Sequence, residues 1–90
     1  MQIVPYTGKQ NKRYTAVFED GTRTHFGQAG GSTYIDHRDK GKRAAYVARH
    51  RPGEDWSDPK SAGALSRYLL WGESTSLASN VRTYRKRFSL

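Results

Sequence analysis

The sequence predicts an α+β domain in which an N-terminal β-hairpin packs on a three-helix C-terminal bundle. Three stretches carry that expectation. Ser57 to Gly72 is punctuated at both ends and holds Ala62, Leu65, Tyr68 and Leu69 at helical spacing, with Leu70 and Trp71 widening the stripe. Residues 13–26 are β-prone on both sides of Asp20-Gly21, a strong tight-turn signal. Leu77, Val81, Tyr84 and Phe88 recur at i, i+4, i+7 and i+11, which is amphipathic helix spacing.

In chain order, residues 1–11 carry Pro5, Gly8, Lys9, Gln10 and Asn11 with little periodicity. They read as a flexible arm whose Ile3, Val4 and Tyr6 are free to dock, ahead of a single small domain over 12–90. Arg13 to Phe18 and Thr22 to Phe26 are the two hairpin strands, with Tyr14, Ala16 and Phe18 on the face that docks. The hairpin turn is expected to place positive φ at both Asp20 and Gly21. Gly27 to Ser32 is a glycine-rich crossover whose spacing matches no phosphate-binding fingerprint. Asp36 to Arg51 reads as one helix, acidic at its start, basic at its end and stopped by Pro52-Gly53. Its Ala44, Val47 and Ala48, flanked by Tyr46, form the face expected to meet the central helix. That central helix is expected to be capped by Asp58, to carry Pro59 at its first position, and to end at a left-handed Gly72. Trp56 stands where a hydrophobic staple would close its first turn. The expected core is Phe18, Trp56, Leu65, Tyr68, Leu69, Leu77, Val81, Tyr84 and Phe88.

Ninety residues, 34% of them hydrophobic, allow one modest core. There is no cysteine, so no disulfide framework, cysteine zinc site or thiol nucleophile is available. No apolar run approaches the roughly 20 residues of a membrane span, and the first residues lack the order of a secretory signal, so the expectation is a soluble intracellular protein. His25, His37 and His50 have no metal-site spacing, and no serine is framed as a nucleophile. Neither a catalytic centre nor a cofactor, metal or small-molecule substrate is expected. A small metal-dependent nuclease assembled from Asp36, His37, His50 and Glu54 is the remote enzymatic alternative.

Sixteen Lys and Arg against eight Asp and Glu give a formal charge of +8, which creates an attractive field for polyanions. The candidate partner-binding residues are Lys12, Arg13 and Arg23 on the hairpin, and Arg38, Lys40, Lys42, Arg43, Arg49 and Arg51 on the first helix. Arg82, Arg85, Lys86 and Arg87 on the last helix complete the set. They fit phosphates or an acidic protein face alike, and phosphate contacts would give affinity without sequence choice.

One family resemblance bears on the choice between those partners. Tyr14 to Gly27, Asp36-His37-Arg38-Asp39, Arg49-His50, Glu54-Asp55-Trp56-Ser57-Asp58-Pro59 and Ala62 to Trp71 together resemble a small uncharacterised family of the large nucleocytoplasmic DNA viruses that infect algae and protists. The resemblance covers the chain from about Lys12 to Phe88 and brings no catalytic residues. It implies a viral source, a place in the virion, and assembly in the host cytoplasm or nucleus. The resulting expectation is a non-enzymatic minor capsid protein of the cement type that binds acidic surfaces of other capsid proteins. Nonspecific binding to the viral genome is the alternative.

Overall fold

The computed structural model describes residues 1–90. The chain folds as α+β, a three-stranded antiparallel sheet followed by helices. Strand β2 (Lys12–Val17) lies between β1 (Gln2–Pro5) and β3 (Arg23–Gln28). The alternation in β2 puts Ala16 and, just past its end, Phe18 on the buried face, beside Phe26 of β3. Tyr14 sits opposite Phe26 in the register, with the rings 5.9 Å apart.

The first residues are not an arm. Ile3 pairs with Ala16 and Val4 with Thr15, making a third strand, and Met1 packs in the core. A two-stranded ribbon is marginal in water, and the β-branched Ile3-Val4 pair supplies the strand that completes it. Pro5 is tolerated because β1 is an edge strand, where an N–H can be missing.

The hairpin turn is wider than the two-residue form. The Phe18 N–H donates to Thr22 O at 2.9 Å and the Gly21 N–H to Phe18 O at 3.0 Å, enclosing Glu19, Asp20 and Gly21. Only Gly21 takes positive φ, at +89°, as a three-residue loop requires.

The helix expected over Asp36 to Arg51 is two. Helix α1 (Tyr34–His37) ends where Arg38 adopts a left-handed conformation, φ +60°. Helix α2 (Lys40–His50) then starts afresh with Asp39 as its cap, the carboxylate accepting from the Gly41 and Lys42 N–H groups at 2.9 and 3.1 Å. Asp36 serves α1 instead, accepting from the Thr33 N–H at 2.8 Å. Helix α2 has no fully buried residue, and Ala44 and Ala48 face solvent. Sheet and α4 occupy the apolar stripe that those alanines were expected to meet.

Helix α3 begins at Ala62 rather than Pro59, capped by Ser61, whose hydroxyl accepts from the Ala64 N–H at 3.1 Å. Asp58 closes a local turn on the Lys60 N–H at 2.9 Å. The Pro59 carbonyl accepts from the Tyr84 hydroxyl at 2.6 Å, so the last helix holds this segment out of α3. Helix α3 runs α-helical over Ala62–Leu65 and then π-helical over Ser66–Leu70. Leu65, Leu69 and Leu70 are all fully buried, each contributing about 1.5–3 kcal/mol. Helix α4 (Leu77–Arg87), capped by Ser76, inserts Tyr84 into the same core.

Gly72 does not end α3 by left-handed geometry, since its φ is not positive. It is glycine because a β-carbon there would lie 2.3 Å from Tyr68 O and 2.9 Å from the Asn80 side chain. Of the expected core, Phe18, Leu65, Leu69 and Tyr84 are buried, while Tyr68, Leu77, Val81 and Phe88 pack half-buried against them. Trp56 lies outside that cluster. Its indole N–H donates to Glu54 at 2.6 Å, and Phe26 and Leu70 fill the interior in its place.

Candidate nucleic-acid interface

Six of the eight acids have local partners, and only Glu19 and Glu73 stand exposed without one, so few carboxylates are left for the cations. Asp39, Asp55 and Asp58 accept backbone N–H groups in caps and turns, and Glu54 accepts the Trp56 indole N–H. Asp20 accepts from Lys60, and its carboxyl is held below the usual carboxylate range by that ammonium and by Thr22. Both side chains of the pair are largely exposed, so it adds little stability.

Arg13 is the other paired cation. Its guanidinium donates to both oxygens of Asp36 at 2.7 Å each, so a predicted contact residue is engaged within the fold. Arg13, together with the Thr33 N–H and hydroxyl, holds the Asp36 carboxyl well below the usual carboxylate range. A carboxyl more acidic in the folded than in the unfolded chain stabilises the fold above about pH 4. That contribution fades as the pH falls from there toward the depressed folded value. Asp36→Asn should therefore lower stability at pH 7 and flatten the acid limb of a stability profile below about pH 4. An acid limb as steep as the parent's would place the acid-sensitive contact elsewhere.

Arg43 is also engaged: its Nε donates to Trp71 O at 3.1 Å and Gly72 O at 2.8 Å, tying α2 to the end of α3. Lys12, Arg23, Arg38, Lys40, Lys42, Arg49 and Arg51 are exposed, as are Arg82, Arg85, Lys86 and Arg87 of α4, and none makes an ion pair. Only two of the sixteen Lys and Arg residues are paired with a carboxylate.

The second way α2 is anchored creates a surface that the sequence did not reveal. Tyr46 stacks on Trp71 with ring centres 4.2 Å apart and planes 3° from parallel, and His50 stacks on Tyr46 at 4.2 Å and 29°. Burial, with Glu54 nearby, pushes the Tyr46 phenol up to about 12. This ladder of rings lines an open groove of about 670 Å³ together with the glycine-rich crossover, the cations Lys12 and Arg49, and one carboxylate, Glu54. Side chains on the crossover would narrow it. A polyanion can track between the two cations, and a flat ring can lie against the ladder. Tyr46 was placed by sequence only as a flank of an alanine face, and Trp71 only as an edge of a stripe. Their parallel stack needs two helices brought together, which no local pattern encodes.

His50 Nδ1 lies 3.4 Å from Glu54 Oε1, but Asp36 is held by Arg13 and His37 packs against Trp71. No three metal-ligating side chains are gathered. No helix is long and apolar enough to cross a membrane. No curated protein and no solved structure matches the chain. A family model does match residues 4–50, which hold the last two residues of β1, the rest of the sheet, α1 and α2, and with more than half its length covered the chain belongs to that family of unknown function (DUF5754).

Proposed function

We propose that this protein is a non-enzymatic nucleic-acid-binding module that grips the phosphate backbone without reading base sequence. The observation that carries this is the near absence of internal pairing: only Arg13 and Lys60 meet a carboxylate, leaving the exposed cations of α2 and α4 free to displace counterions. The groove supports the same reading by setting two cations beside a stacked aromatic wall. Titrating duplex and single-stranded DNA at rising salt tests it. Log K should fall linearly with log salt, by about 0.9 per phosphate contacted on duplex and about 0.7 on single strands. Lack of binding near physiological salt would remove this function.

A second reading, a virion structural role on acidic faces of other capsid proteins, is favoured by one observation. Strand β1 is a free sheet edge flanked by Leu77, Ala78 and Val81, a place where an extended segment of another chain can add. Recovery of the protein in purified capsid shells, with no DNA affinity at physiological salt, would select it.

A further inference from the structure

Three guanidinium groups converge behind the end of α3, and none has a carboxylate partner. Arg67 donates from Nη1 to Trp71 O at 2.9 Å, and Arg43 donates to that same carbonyl at 3.1 Å. Arg67 also lies over the Trp56 and Tyr68 rings at 5.3 and 5.1 Å, while Arg87 reaches the Tyr68 ring at 4.4 Å. No ion pair forms at any of the three. The Nε of Arg67 is buried and has no acceptor. An orphaned donor on a charged group is an unusual thing for a fold to keep.

Arg67 and Arg87 both line a cavity of about 200 Å³ between the end of α3 and the side of α4 from Ser79 to Arg87. The Ser79 hydroxyl, also in its wall, makes no hydrogen bond of its own. Glu73 lines it too, exposed and unpaired. Aromatic rings offset part of what it takes to hold cations here, but rings accept no hydrogen bonds in the plane of a guanidinium. An oxyanion does, and a tetrahedral one can take donors from two guanidinium groups and a hydroxyl together.

We propose that this cavity binds a phosphate group, with Arg67 and Arg87 as its cationic donors and Ser79 as a neutral one. Burial, then the charges of Arg43 and Arg87, hold the Arg67 pKa below its ordinary value, and an anion in the cavity would reverse that penalty. Glu73 opposes the anion and sets its affinity from the rim. The site does not depend on the outer surface binding nucleic acid. Free phosphate and a phosphate carried on a nucleotide share the chemistry.

The test titrates the full chain with inorganic phosphate, following the arginine Nε–H resonances, against chloride at matched ionic strength. Arg67 Nε–H should shift saturably with phosphate and not with chloride. Arg87→Met, an exposed position, should weaken binding by about tenfold or more, as loss of a charge-assisted donor does. Glu73→Gln should strengthen it. Preference for a 5′-phosphorylated over a 5′-hydroxyl oligonucleotide would assign the site to a nucleotide-borne phosphate, and equal binding to free phosphate. A response that chloride reproduces, or one that Arg87→Met leaves intact, would overturn the site. Loss of duplex binding with the phosphate response retained would sink the nucleic-acid function alone.

Discussion

Replacing Asn80 with alanine is expected to destabilise the fold by about 3 kcal/mol, because three hydrogen bonds in and around the interior lose their partner at once. Asn80 is 3% exposed. Its amide nitrogen donates to Leu69 O at 3.0 Å and Ser74 O at 2.8 Å, and its oxygen accepts from the Ser74 N–H at 3.1 Å. One side chain thus closes the end of α3, the loop after it and the start of α4. No water replaces it easily at a site where Gly72 already stands against its carboxamide. Asn80→Asp should be worse, since it keeps the acceptor for Ser74 but turns a charged oxygen toward two carbonyls. Folded domains hold roughly 0.05–0.15 kcal/mol per residue, so either change removes a large share of the total. Urea denaturation measures it, and a loss below about 0.5 kcal/mol for the alanine variant would mean the network is dispensable.

Neutralising Arg82, Arg85, Lys86 and Arg87 together as glutamines is expected to have the largest effect on DNA affinity. These four exposed cations occupy the C-terminal half of one helix and pair with no acid. If each neutralises one phosphate, the slope of log K against log salt for duplex should become shallower by roughly 3 to 4. The fold should survive, because glutamine is as good a helix former as lysine or arginine. The structural losses are the Arg87–Tyr68 contact and the favourable charge at the C-terminal end of α4, each on the order of 0.5–1 kcal/mol. A variant with unchanged slope and intact fold would assign binding to α2 and the groove alone.

Much of the architecture was legible wherever one periodicity ran uninterrupted. Leu65 and Leu69, Val81 and Tyr84, and Phe18 beside the hairpin turn all fall on the buried side that their spacing implies. What escaped the sequence was settled by contacts far along the chain. The start of α3 moved because a hydroxyl 25 residues later claims the Pro59 carbonyl. Strand β1 looked formless because its partner, not its own pattern, makes it a strand. The break at Arg38 uses a left-handed residue that is not glycine, so no composition signal marks it. At the candidate site, the charges were plain from composition, while their availability was not. Arg13 was withdrawn by Asp36, Arg43 by two carbonyls, and Arg67, which carried no expectation, holds a carbonyl with one nitrogen while its buried Nε has no acceptor.

Helix α2 is held by the Tyr46–Trp71 stack, by Arg43 on two carbonyls and by the same guanidinium over the Tyr34 ring, without a single side chain sunk in the interior. Its amide hydrogens should therefore exchange before those of the sheet and of α3, whose leucines fill the interior, in a hydrogen-exchange time course.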